Sequence, residues 1–276
     1  MNASLILEGG TFRSIYTAGI LDTFLAHDIR FPYTVGISAG ALAACSFASR
    51  QPERTLRVFR NYRHDTRYMG WRNFLKERSY FGLDFAYNYI PNVADPFDWE
   101  AFYTYEGELE FGLTHAETGD IHYANALEMN RTCDMLQATC AIPLVFPEIQ
   151  VQNEGYFDGG LADPIPLQRA IDKGFHQHVI ILTRPKGYRK TFDRQAKFGT
   201  YMLRKKYPNI AELLMIRAER YNATIERIEQ LERSGEAVVF RPEYALNSFE
   251  KDAGQMNKTY QMGRAHGEAK INTLFT

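Results

Sequence analysis

Eleven residues constrain this chain more than any others: Thr34-Val35-Gly36-Ile37-Ser38-Ala39-Gly40-Ala41-Leu42-Ala43-Ala44. They read as a short buried strand, a tight turn and an alanine-rich helix. Ser38 falls in the turn, and Gly36, Ala39 and Gly40 leave room for the backbone to bend and for strand and helix to pack closely, as a G-x-S-x-G nucleophile elbow requires. Such a turn holds the serine oxygen at the end of a sheet and at the positive end of a helix. The competing reading is a plain Gly/Ser turn before a helix, since a bare G-x-S-x-G pattern recurs often by chance.

The segment before the elbow fits the same architecture. An apolar run over residues 4 to 7 ends in Glu8-Gly9-Gly10-Thr11-Phe12-Arg13-Ser14, and a helical pattern follows through Ile15, Ala18, Leu21 and Leu25. A second strand from Phe31 to Ile37 then leads into Ser38. Strand, helix, strand, helix in this order predicts parallel strands with a right-handed crossover, so both glycine turns sit at the carboxyl edge, where open parallel sheets bind ligands. Amide N–H groups around Gly9 and Gly10 are then free to converge on an anion. A dinucleotide site competes for this turn, but the G-x-G-x-x-G spacing is missing and no acidic residue closes a strand about 20 residues on.

The remainder of the chain extends one α/β unit. A helix is expected over 53–64, an irregular aromatic-rich wall or cap over 65–105, and a hairpin at 108–113 and 121–124 around Glu117-Thr118-Gly119-Asp120. Further strands are expected at 179–182 and 237–240, with a long helix over 209–233 and a last helix over 255–275. Hydrophobic residues make up 45% and charged residues 24%, so neither disorder nor a fibrous repeat is indicated. A formal net charge of −1 gives no general pull toward nucleic acid. No apolar stretch reaches the roughly 18 residues of a membrane span, and no signal peptide is legible, so a cytoplasmic location is expected. Cys45, Cys133 and Cys140 lack paired metal-ligand spacing and read as buried thiols.

A second informative region runs Gln137-Ala138-Thr139-Cys140-Ala141-Ile142-Pro143-Leu144-Val145-Phe146-Pro147, followed by Gly155-Tyr156-Phe157-Asp158-Gly159-Gly160-Leu161. A glycine-rich first turn, a G-x-S-x-G serine and a D-G-G aspartate in this order resemble the patatin-like phospholipase family, over about residues 5 to 185. The resemblance implies a three-layer α/β/α fold with a mainly parallel central sheet, formed by one domain over residues 1–276. Its motif-bearing core would span about 4–185 and its C-terminal completion about 186–276. It also implies a serine lipid acyl hydrolase that needs no metal or organic cofactor. Ser38 carries over as nucleophile and Asp158 as general base, with Gly36 and Gly40 shaping the elbow and Gly159 and Gly160 the Asp turn. The Gly9, Gly10 and Thr11 amides carry over as the oxyanion hole, with Arg13 retained beside them.

The chemistry agrees with these residues. A carboxylate with an ordinary pKa of about 4 is ionised at neutral pH and accepts the serine proton directly if the fold brings the two together. The rival α/β-hydrolase triad needs a histidine after the acid. Only His176, His178 and His266 follow Asp158; the first two begin a strand at the wrong end, and His266 is expected exposed on the last helix.

Three departures mark the first turn, where Glu8, Thr11 and Ser14 stand in place of the family's Asp, Gly and Gly. A positive backbone angle at Thr11 would be costly, and a reshaped oxyanion hole there would favour a lipid- or partner-binding regulator over an enzyme. An acyltransferase uses the same first half-reaction. The substrate class implied is a lipid or other acyl ester. Residues 186–206 carry eight Lys/Arg against one acid, Asp193, which fits either a solvated face or peripheral contact with an anionic membrane.

Overall fold

Side chains alternate across the strands and so build a core on each face of one sheet. Leu5 and Leu7 face one side, with Val179 and Ile181 from a neighbouring strand; Ile6, Val35 and Ile180 face the other. A computed structural model describes residues 2–274; Met1, Phe275 and Thr276 lie outside the described residues. The chain begins with β1 (Ser4–Leu7), α1 (Ser14–Ala26), β2 (Tyr33–Gly36), α2 (Ala39–Ala48) and α3 (Arg54–Tyr62). The aromatic-rich stretch follows as α4 (Arg72–Glu77), a π-helical segment Phe85–Ala94 that contains Pro91, and α5 (Trp99–Tyr103). Then come β3 (Glu108–His115), β4 (Ile121–Asn125), α6 (Asp134–Thr139), β5 (Ile149–Val151), β6 (Glu154–Asp158), α7 (Leu167–Asp172) and β7 (His178–Ile181). The chain continues through α8 (Arg194–Leu203), α9 (Pro208–Ser234), β8 (Ala237–Phe240) and α10 (Ala253–Lys270). The last helix expected over 255–275 gives way to a 3-10 turn at Ile271–Leu274, and Phe275 lies outside the described residues.

Among the described residues the strands form one sheet in the order β5-β6-β3-β2-β1-β7-β8, with β4 also paired to β3. From β3 through β8 neighbouring strands along this path run parallel, in registers such as Leu7↔Gly36 and Leu7↔Ile181. Pairings to β4, β6 and β5 are antiparallel, which gives the mainly parallel sheet with helices on both faces that the motifs imply. On one face α1, α2 and α10 pack together; on the other, Leu167 and Ala170 of α7 meet Tyr221, Ile225 and Ile228 of α9.

Besides α9, residues 207–274 join this framework through β8 and α10. β8 extends the sheet, pairing Ile181 with Phe240. α10 crosses α1 so closely that a Cβ on Gly19 would lie 2.2 Å from the Tyr260 carbonyl, and one on Gly263 would lie 2.2 Å from the Tyr16 carbonyl. Glycine at the crossing is therefore a packing requirement. His266, expected exposed, instead bonds Tyr16 Oη at 2.7 Å across this contact.

Candidate active site at the carboxyl edge of the sheet

Ser38 occupies the turn between β2 and α2 with φ 54° and ψ −127°, a strained region that a tightly packed surround must hold. The flanking residues explain why the strain persists. A Cβ on Gly36 would meet the Ala41 backbone at 2.9 Å, and one on Gly40 would lie 2.5 Å from the Leu7 carbonyl. Strand and helix thus pack at a distance only glycine allows. The Ser38 amide donates to Thr139 Oγ1 at 2.9 Å, and that hydroxyl donates to the Gly112 carbonyl at 2.7 Å. Its own N–H is therefore committed, leaving the side chain to face the cleft.

Asp158 ends β6, beside β3 in the register Leu113↔Asp158. A Cβ on Gly159 would lie 2.1 Å from the Gly112 carbonyl, and the Gly160 amide donates to Asp158 Oδ1 at 2.8 Å. Thr139 and Gly159 both lean on Gly112, so the serine turn and the aspartate turn share one backbone support. Burial pushes the Asp158 carboxyl above the ordinary range, opposed by the nearby Ser38 hydroxyl, by Arg217, by the Gly160 amide and by Lys190. The ordinary carboxylate pKa expected from the sequence is thus corrected upward by desolvation.

The glycine turn lies directly against the serine. A Cβ on Gly9 would sit 2.8 Å from Ser38 Cβ. Among the described residues, the amides of Gly9, Gly10 and Thr11 are engaged by no backbone or side-chain partner and remain available. Thr11 takes φ 49°, the costly positive angle anticipated from its sequence. Its hydroxyl lies 2.6 Å from the Ser248 carbonyl and 2.7 Å from that of Gly10, sharing its proton between them. Arg13 Nε donates to Thr183 Oγ1 at 3.2 Å, and its Nη1 donates to Ser248 Oγ. Glu8 accepts from the Thr183 amide at 2.6 Å and from Tyr221 Oη at 3.1 Å, anchoring the turn from behind.

Two spaces meet at Ser38. One is apolar and lined by Leu42, Val58, Phe59, Phe81, Ile90 and Phe146, together with the three buried cysteines. Burial pushes the Cys133 and Cys140 thiols up to about 12, so they stay protonated. The other is polar: Arg13, Arg184, Lys190 and Arg217 face Glu8 and Asp158 across it. Crowding by Arg217, Arg13 and Arg184 adds to burial in bringing the Lys190 ammonium down to about 8. Thr11, Ser38 and Ile142 border both spaces. The segment 65–105 walls the apolar space through Tyr68, Phe81, Tyr87 and Phe97, in the position its aromatic content predicts.

Every residue assigned to the site from sequence lies at this edge. The histidine rival does not: His178 bonds Ser4 Oγ at 2.8 Å, at the opposite end of β1. Sequence reasoning passed over Glu8 as an anchor, Thr139, Thr183, Arg217 and Ser248. The last two come from segments without a motif, and only the packing of α9 and the loop after β8 brings them here. The basic stretch 186–206 divides: Lys190 turns into the site and Arg189 pairs with Glu229 at 2.9 Å, while Lys186, Arg194, Lys197 and residues 204–206 are exposed.

A serine elbow, an aspartate turn and a glycine loop at one edge of a mainly parallel sheet define an α/β protein of acyl-hydrolase type. The patatin-like phospholipase family model matches residues 5–171, and this chain belongs to that family. A domain of unknown function, DUF6363, matches residues 207–276. The uncharacterized protein YjjU of Escherichia coli (strain K12) is 26% identical over 186 residues, 66% of this chain and 52% of that protein. The chain thus spans about half the length of that relative. VipD from Legionella pneumophila, known as a crystal structure, shares the fold with a TM-score of 0.52 at 12% identity, over 99% of this chain and 67% of VipD.

Proposed function

We propose that this protein is a serine lipid acyl hydrolase in which Ser38 and Asp158 form a catalytic dyad. Asp158 takes the hydroxyl proton as Ser38 Oγ attacks the ester carbonyl, and the Gly9, Gly10 and Thr11 amides receive the oxyanion. Each such donor is worth about 3 kcal/mol of barrier. Collapse of the tetrahedral intermediate expels the alcohol, which regains a proton from Asp158, and leaves an acyl-serine. Water, deprotonated by the same carboxylate, then releases the acid and restores Ser38.

One observation carries this reading: Ser38 stands where an apolar space and a cationic basin meet, beside a buried carboxylate. The acyl chain lies in the first and the alcohol leaving group in the second. Four cations facing two carboxylates favour a phosphate-bearing leaving group over a neutral glyceride. The exposed aromatic and basic residues of α8 support contact with a lipid surface.

Labelling by a fluorophosphonate probe, alongside hydrolysis of a short-chain ester, tests the dyad. Labelling and turnover lost in Ser38→Ala and strongly slowed in Asp158→Asn are expected. A native protein that neither labels nor hydrolyses overturns the reading and leaves lipid or partner binding.

A further inference from the structure

The apolar space that Ser38 borders also has a charge in its lining. Arg54, the first residue of α3, lines it together with Cys45, Cys133, Ile90 and Phe97. Its position along α2 is fixed, because Ser46 Oγ and Thr55 Oγ1 lie 2.9 Å apart and set the first turn of α3 beside Cys45. Cys45 follows Ser38 by seven residues, a rise of about 10 Å along the helix. Cys45, beside which α3 begins, thus lies roughly one medium-length acyl chain from the serine along α2.

For a buried group, Arg54 is poorly partnered. A guanidinium has five N–H donors, and one hydrogen bond satisfies it here, from Nη2 to the Asp95 carbonyl at 2.9 Å. The Asp95 carboxylate is occupied by Arg57, at 2.6 and 2.9 Å. It stands 3.6 Å from Arg54 Nε, which has no hydrogen-bond partner among the described residues. Phe97 covers one face of the guanidinium, its ring centroid 5.1 Å from Cζ. Two guanidiniums thus share one carboxylate, and the inner one keeps donors to spare. An unpaired buried donor is costly. As a strut between α3 and residue 95, Arg54 needs only its Nη2 bond, and a purely aliphatic tail would leave the idle donors without an acceptor.

We propose that the cavity takes a medium-length acyl chain whose far end carries an oxygen acceptor, a carboxylate above all, and that Arg54 is the group that receives it. This rests on the reading of the apolar space as the acyl pocket. The preferred acyl donor is then an ω-carboxylated ester, with its reacting carbonyl at Ser38 and its terminal carboxylate at Arg54 forming charge-assisted hydrogen bonds.

Calorimetric binding to the Ser38→Ala protein, which keeps the cavity and does not turn over, provides the test. Monomethyl suberate is compared with methyl octanoate, and with the monomethyl esters of adipate and sebacate. Monomethyl suberate is expected to bind at least tenfold tighter than methyl octanoate, with a maximum among the diacid esters in place of a steady rise with length. Arg54→Met removes the preference and Arg54→Lys keeps part of it. Equal binding of the suberate and octanoate esters overturns the proposal. So does a preference that survives Arg54→Met and disappears in Lys190→Met, which places the carboxylate in the cationic basin. If Arg54→Met fails to fold by circular dichroism, the ligand comparison and Arg54→Lys decide. Because the readout is binding, hydrolysis of octanoyl esters without a diacid preference sinks this inference alone. A diacid preference without any turnover in the native protein sinks only the hydrolase reading.

Discussion

The Thr11 hydroxyl reaches the Ser248 carbonyl at 2.6 Å, across 237 residues of sequence. This bond sits where the chain departs from its family, at a backbone angle glycine would adopt freely. A left-handed conformation costs a β-branched residue about 1–2 kcal/mol, and one hydrogen bond returns about 1 kcal/mol. Thr11→Gly trades one against the other, so its urea midpoint stays near native. Thr11→Val keeps the strain and loses the bond, so stability falls by about 1–2 kcal/mol and ester turnover falls with it as the amides lose their anchor. A valine variant as stable and active as the native protein would show that Ser248 does not hold the turn.

In the proposed dyad, Asp158 sets the acid side of the pH profile. Only the ionised carboxylate accepts the Ser38 proton, so activity is lost as pH falls through its pKa. Burial raises that pKa, and the acid limb of kcat/KM is expected above the ordinary carboxylate value of about 4. Arg217 donates to the Gly160 carbonyl at 2.5 Å and helps keep Asp158 charged. Arg217→Met therefore moves the limb to still higher pH. A limb at or below pH 4 in the native protein contradicts the proposed buried base.

How far the sequence carries can be judged from particular residues. Ser38, Gly36, Gly40 and Asp158 were legible because each depends on a local turn whose residue types are restricted by sterics. β8 at Ala237–Phe240 was legible from a short apolar run. Arg217 and Ser248 were not, since a long amphipathic helix and a loop give no sign of which side chain meets a distant turn. Lys190 looked like one cation in a solvated run, and its direction depends on Tyr221 of α9, whose ring lies 5.2 Å from the ammonium. The raised pKa of Asp158 was hidden for the same reason: desolvation is a property of packing.

Lys190 makes the cationic basin sensitive to pH on the alkaline side. Its ammonium is brought down to about 8, so it loses its proton as pH rises through that value and the basin loses one of four cations. KM for an ester with a phosphate-bearing leaving group is expected to rise above pH 8, while KM for a neutral ester of the same acyl chain stays level. Lys190→Met abolishes the difference in pH dependence between the two. Parallel profiles for both esters in the native protein would remove Lys190 from the proposed leaving-group recognition.

Exposed apolar side chains at α4 offer a surface for lipid contact. Trp71 and Leu75 are 77% and 92% exposed, four residues apart and so on one side of the α4 turn. Arg72, Lys76 and Arg78 surround them in sequence. Arg204, Lys205 and Lys206, just after α8, are exposed as well. Phe198 and Tyr201 of α8 are also largely exposed. Leu144, also exposed, shares its loop with Ile142, which borders both spaces at Ser38. Exposed apolar side chains ringed by cations match an anionic bilayer surface, which takes the aromatic and aliphatic groups and neutralises the charge. Sedimentation with phosphatidylglycerol vesicles should therefore exceed sedimentation with phosphatidylcholine vesicles and weaken in high salt. Trp71→Ala with Leu75→Ala should lower it at least tenfold while hydrolysis of a soluble short-chain ester is unchanged. Equal sedimentation of the double variant would place the lipid-facing surface elsewhere on the molecule.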